Sequence, residues 1–142
     1  MTDPSSAEVR AFWFLPDTGA GTAAGFRPEW FRKDPAFDES IRARFGPLVE
    51  RALTLPAGAP PAWGAAPDDV LAEILVLDQF PRNLYRGQPR AFAGDARALA
   101  LALALIARGD DRRLRPLERL FAYLPLEHAE DLALQEIGRA HV

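Results

Sequence analysis

The chain has 142 residues, enough for one domain with a sizeable core, and its composition (49% hydrophobic, 26% charged) is that of an ordinary soluble globular protein. There is no cysteine, which excludes disulfides, thiol catalysis and cysteine-bound zinc, and two histidines, His128 and His141, leave little for a histidine-rich metal centre. The net charge of −3 is dispersed, with no basic stripe of the kind nucleic acid requires, so no nucleic-acid partner is expected.

Of the basic residues only Lys33 is lysine, and a genome rich in G and C explains this arginine- and alanine-rich bias without a functional cause. Met1–Ser6 has neither the basic start nor the apolar run of a signal peptide. The most apolar stretch, residues 98–107, is too short to span a bilayer. The expectation is a cytoplasmic protein with no membrane partner.

In chain order, Ser5 or Ser6 caps a first helix running through Phe14, with Val9, Phe12 and Trp13 on its apolar face. Pro16 ends it, and Gly19-Ala20-Gly21 opens a flexible loop. A short helical piece follows over about residues 28–33, anchored by Trp30 and Phe31. Asp34-Pro35 starts a third element carrying Phe37, Ile41, Phe45, Leu48 and Ala52 at helical spacing, which Gly46-Pro47 is expected to kink or split. Residues 54–67 are proline-rich and read as a loop pinned to the core by Trp63.

Pro67, Asp68 and Asp69 open a helix that runs to about Phe80, where Pro81 is expected to force the boundary. Arg90 or Ala91 opens a long alanine–leucine helix that stops at Gly109. After the polar turn at residues 110–113, Pro116 starts the last helix, which is expected to break at Pro125 and resume from Glu127 to Gln135. Helix pairs with short connections and no strand-like alternation predict an all-α fold of antiparallel hairpins, with no clean internal repeat.

Two blocks concentrate chemistry. In Leu77-Asp78-Gln79-Phe80-Pro81-Arg82-Asn83-Leu84-Tyr85-Arg86-Gly87, Asp78 and Arg82 are four apart and form an ion pair on a continued helical turn. Asn83 accepts a backbone N–H at the corner or caps the next turn. The structural reading is a corner that locks two helices, with Arg82 neutralising a partly buried Asp78. The functional reading is a pocket rim of Asp78, Gln79, Arg82 and Asn83, with Arg86 and Arg90 nearby favouring an anion.

The second block, Leu124-Pro125-Leu126-Glu127-His128-Ala129-Glu130-Asp131, places His128 and Asp131 at i, i+3, where a carboxylate tunes an imidazole for acid–base work. Glu127 adds a further carboxylate, yet neither the His-Glu-x-x-His nor the Glu-x-x-His pattern of metal sites is present, so no metal and no cofactor are expected. The plainer reading is a solvated helix start with carboxylates favoured by the dipole. Trp13, Trp30, Trp63, Phe80, Tyr85 and Tyr123 are core before they are a ligand groove.

These two blocks resemble the signature of a bacterial family catalogued as domain of unknown function 924. Phe12-Trp13-Phe14, Trp30-Phe31, Asp34-Pro35-Phe37-Asp38 and Pro89-Arg90-Ala91-Phe92-Ala93 with Asp95 also fit its pattern. The resemblance covers nearly the whole chain to Gln135 and implies a TPR-like stack of helical hairpins. It implies no activity.

The last seven residues, Glu136–Val142, back-translate as GAG ATC GGA AGA GCA CAC GTC and, with TGA, match a common short-read sequencing adapter in frame. The expectation is one helical domain over residues 1–135, continuing natively into further helices, with residues 136–142 foreign to it; His141 then carries no functional weight. Two functions remain open, of which the first is the expectation and the second the alternative. One is a non-enzymatic TPR-like protein that holds a protein or peptide partner in a groove. The other is a small enzyme or metabolite binder using the Asp78/Arg82/Asn83 corner with Glu127 and His128.

Overall fold

The computed structural model describes residues 3–14 and 26–140, with side chains through Glu130. The expected loop at 19–25, the stop at Pro16 and the tail residue His141 lie outside the described residues. Helix α1 (Ser6–Trp13) starts where the Ser5 hydroxyl accepts the Glu8 N–H at 3.2 Å. Its end is tied down from a distance: Arg27 Nη1 donates to the carbonyls of Phe12 and Trp13, and the Trp30 indole donates to Trp13 O at 3.0 Å. Trp30 belongs to a 3-10 turn (Pro28–Trp30), shorter than the piece expected to reach residue 33.

Helix α2 (Pro35–Ala52) is capped by Asp34, whose carboxylate accepts the Phe37 N–H at 3.1 Å, and the helix buries Phe37, Ile41, Phe45, Val49 and Ala52. It runs unbroken through Pro47, so the expected split does not occur. Gly46, lacking a Cβ, relieves the clash that normally drives the residue before proline out of the α region. Buried Phe45 and Val49 hold the chain down on both sides.

Helix α3 (Pro67–Ile74) continues into a π-helical turn (Leu75–Gln79) and then α4 (Phe80–Leu84). Pro81 therefore does not end the helix. The wide turn sends the Phe80 N–H back to Leu75 O, and Pro81 falls in the first turn of α4, where its missing N–H costs little. The Leu77 carbonyl that Pro81 would have met is approached instead by Gly94: a Cβ built there would lie 2.2 Å from Leu77 O.

That approach also explains why the next long helix starts late. Residues 89–92 form a 3-10 turn, Gly94 backs onto the π-turn, and α5 (Asp95–Ala107) begins at Asp95 rather than at Arg90 or Ala91. Gly109, at φ 74°, closes it in the left-handed conformation.

Helix α6 (Pro116–Ala140) passes through Pro125 without a break, correcting the expected interruption there and the stop at Gln135. Phe121, Ala122 and Pro125 are buried and Leu126 packs on the core, so packing on both sides of the proline outweighs the lost backbone bond. The described residues contain no strand; the fold is all-α.

Helix α1 packs on α3, α2 on α4, α3 on α5, and α5 on α6. Their shared core centres on Trp13, whose ring lies 5.4–6.0 Å from those of Trp30, Phe37, Phe80 and Phe121. Trp13 and Phe80 are thus core residues. The proline-rich loop is held by a buried ion pair. Arg97 of α5 donates from Nε and Nη2 to Glu73 of α3 at 3.0 and 2.6 Å, and to the carbonyls of Pro56, Ala59 and Pro60. No helix among the described residues is long and apolar enough to cross a membrane.

Candidate functional site

The π-turn places a carboxylate where a globular protein rarely keeps one. Asp78 is 0% exposed, and three side chains share it. Gln79 Nε2 donates to Oδ2 at 2.8 Å, Arg82 Nη1 reaches Oδ1 at 3.3 Å, and His128 Nδ1 lies 2.9 Å from the same Oδ1. His128 comes from the middle of α6, on the far side of the sequence. As a carboxylate Asp78 accepts from all three, which puts an imidazole proton on Nδ1 and leaves Nε2 uncommitted to Asp78.

Arg82 does more than the i, i+4 pair with Asp78. Its Nη1 also donates to the Asp78 carbonyl at 2.7 Å, and it grips Asp95 with two bonds of 2.8 and 3.0 Å. Phe92 lies across its guanidinium, 5.2 Å from ring centroid to Cζ. Burial alone would lower the Arg82 pKa, but the bond to Asp95 and the charges of Asp78 and Asp95 outweigh it and hold it above the ordinary arginine value. Asp95 is the first residue of α5, so one arginine joins the π-turn, α4 and the start of α5.

A second group flanks the first. Asn83 Nδ2 donates to Asp38 Oδ1 at 2.8 Å, and Arg86 grips the same carboxylate with bonds of 2.8 and 3.2 Å. The bond to Asp38 raises the Arg86 pKa against the opposing effect of burial. Asn83 thus donates its amide to another helix, where a local backbone cap was expected.

Between these groups lies a half-open cleft of about 330 Å³, lined by Trp30, Phe31, Arg32, Gln79, Arg82, Asn83, Arg86, Leu124 and His128. Four of the candidate residues, Gln79, Arg82, Asn83 and His128, line the cleft, and buried Asp78 is bonded to three of them. Arg90 and Glu127 lie elsewhere. Arg90 pairs with Glu50 and stacks on Tyr85, and Glu127 is exposed on α6. The Asp131 side chain is outside the described residues, and it is Asp78 that holds His128 Nδ1.

Spacing in the sequence does not mark Asp38, Asp95, Phe31 or Arg32 as site residues. Phe31 and Arg32 line the cleft directly, while Asp95 and Asp38 reach it through arginines 13 and 48 residues away, and the one signal pointing to the two aspartates is the family pattern in which both sit.

A larger hollow of about 430 Å³ lies between α2, the proline-rich loop and α3, lined mainly by apolar groups such as Leu48, Leu55, Trp63 and Val76. Its one buried carboxylate, Glu73, is already satisfied by Arg97 and the Ala62 N–H. Its other charged groups, Asp3 and Arg51, pair with each other at the exposed rim, so the smaller cleft is the better candidate. Among the described residues no group of three or more metal-ligating side chains is assembled.

Over residues 9–142 the sequence matches the family described as "Bacterial protein of unknown function (DUF924)". A solved structure, described as that of a protein of unknown function, ATU0120 from Agrobacterium tumefaciens, is similar at 36% identity with a TM-score of 0.71. The match covers 92% of this chain and 68% of that one. No curated protein matches the chain. With the family pattern matched over most of its length and a solved relative of the same fold, the chain belongs to the bacterial family of unknown function DUF924.

Proposed function

We propose that this protein binds a small molecule in the cleft beside the π-turn, with His128 as the group that exchanges a proton with it. The observation that carries the reading is Asp78, a fully buried carboxylate bonded to His128, Arg82 and Gln79 at once. A carboxylate behind Nδ1 fixes the tautomer and orientation of an imidazole and leaves Nε2 as donor or acceptor, the arrangement general acid–base catalysis needs. The described residues of the lining offer no serine, threonine or cysteine, so covalent catalysis by such a nucleophile is not part of the proposal. π-Turns inside helices also occur often at functional sites, because they turn side chains out of regular register.

A second reading is a helical interaction protein of TPR-like type that holds a protein or peptide partner. It is favoured by exposed aromatic rings beside the cleft: Phe31 is 56% exposed, Phe26 43% and Phe92 58%. The convergence of side chains within hydrogen-bond reach favours the small-molecule reading, because a peptide groove needs no buried carboxylate behind a histidine.

A thermal-shift screen against metabolite pools tests the choice, since a ligand bound only by the native state raises the melting temperature by mass action. Pools that stabilise the wild type and leave His128→Ala unmoved support the proposal. Equal stabilisation of both proteins, or none by any pool, rejects it.

A further inference from the structure

The cleft's polar lining has a one-sided character. Among the described residues Arg32, Arg82, Arg86 and His128 line it, together with the amides Gln79 and Asn83, and no carboxylate does. Asp78, Asp38 and Asp34 have side chains 0%, 13% and 22% exposed, against 23% for Arg82, 37% for Arg86 and 58% for Arg32. Asp95, which also grips Arg82, is 32% exposed but does not line the cleft. Inside the cleft the positive ends of these pairs are therefore the parts a solute meets.

Donor bookkeeping points the same way. A guanidinium carries five N–H groups. Arg86 spends Nε and one Nη2 hydrogen on Asp38, leaving both Nη1 hydrogens and the second Nη2 hydrogen unspent among the described residues. Arg82 engages both Nη1 hydrogens and one Nη2 hydrogen, leaving its Nε–H and the second Nη2 hydrogen unspent among the described residues. These are fork-shaped donors suited to an oxyanion, and both arginines are held firmly in place by the bonds they already make.

Beside the charged wall stand Trp30, Phe31 and Leu124. Trp30 is packed into the core, but more than half of Phe31 is exposed, with its ring stacked parallel to Phe121 at 5°. Stacking fixes one face of the ring and leaves an ordered apolar edge.

Resting on the reading of this cleft as a ligand site, we infer that its ligand is an oxyanion, a carboxylate or phosphate, carried on a flat apolar group. The oxyanion sits against Arg82, Arg86 and Arg32, and the flat group against Phe31 and Leu124. This places the ligand atom nearest the oxyanion beside His128, the group available for proton exchange.

Calorimetric titration and amide chemical shifts with phenyl phosphate, benzoate, inorganic phosphate and benzyl alcohol test the inference on the full chain at low ionic strength. The expected result is binding of phenyl phosphate or benzoate, with shifts at Arg82, Arg86 and His128. Tighter binding of phenyl phosphate assigns a phosphate, and tighter binding of benzoate a carboxylate. Inorganic phosphate binds more weakly, and Phe31→Ala removes its disadvantage against phenyl phosphate. Arg86→Gln and the more exposed Arg32→Gln each weaken binding about tenfold, the scale of one lost charge-assisted bond.

Benzyl alcohol bound as tightly as the anions overturns the inference and leaves the cleft a binding site of another class. The inference also falls if no probe binds while metabolite pools still stabilise the protein through His128. If neither probes nor pools bind, both it and the proposed function fall.

Discussion

Removing Arg97 is the sharpest test of how the scaffold around the cleft is held. All five of its N–H groups are used: three bonds go to loop carbonyls at 2.8–3.0 Å and two to Glu73. Arg97→Met keeps the length and apolar character of the stem but leaves the Glu73 charge buried at 3% exposure without its partner. Breaking a buried pair in this way costs about 3–5 kcal/mol, a large part of the roughly 5–15 kcal/mol that a domain has in total. The double variant Glu73→Leu/Arg97→Met removes the stranded charge and recovers about half of that loss or more, because apolar replacement of a buried pair is often nearly neutral. Recovery is incomplete, since the carbonyls of Pro56, Ala59 and Pro60 and the Ala62 N–H still lose their partners. Urea unfolding gives both numbers, and amide exchange in residues 57–66 reports the released loop. A loss below about 1 kcal/mol in Arg97→Met, or a double variant no better than the single, would refute the reasoning.

Gly94→Ala makes a second test of packing. At φ −92° the backbone suits any residue, so substitution on an open helix start would stabilise by about 0.4–1 kcal/mol. The contact with Leu77 O at 2.2 Å reverses the sign, and a loss of about 1–3 kcal/mol is expected in the melting curve; unchanged or raised stability contradicts the close approach. The protein has two tyrosines, and both phenols are held above the ordinary 10.0, Tyr85 by burial and its bond to Glu50, Tyr123 by its bond to Asp111 and burial. With the folded values raised, their contribution to stability is complete below about pH 10 and is lost as pH climbs through the folded values. Phenolate absorbance of the native protein should therefore rise at higher pH than that of the urea-unfolded chain, and coincident curves would sink this prediction.

The apolar faces and caps were plain in the sequence: Ser5 and Asp34 cap as expected, and Phe37, Ile41 and Phe45 point inward at helical spacing. Proline misled three times, for one reason. A local rule ends a helix at proline, but Gly46 relieves Pro47, a π-turn admits Pro81, and burial on both sides holds Pro125. Each compensation lies in a neighbouring residue or in packing, where single-residue propensity does not look.

The Asp78–Arg82 pair was legible because i, i+4 spacing is a property of one helix. His128 joins it only because α6 crosses the π-turn, a contact spanning 50 residues that no local spacing encodes. Glu73 and Arg97 were equally hidden, since a charged residue in a helix reads as solvent-facing until its partner is known. Arg97 stood just before a run of ten uncharged residues, the one hint that its surroundings were apolar.

In the proposed function the imidazole of His128 is held by buried Asp78 and meets a ligand on its other side. The most direct measurement is the side-chain nitrogen spectrum of His128, assigned by its loss in His128→Gln, recorded as a stabilising metabolite pool is added. The account predicts an Nδ1–H donor whose resonance changes in Asp78→Asn, and an Nε2 resonance that moves on titration. An Nε2 signal unmoved by pools that stabilise the protein, or an Nδ1 signal indifferent to Asp78→Asn, would contradict it.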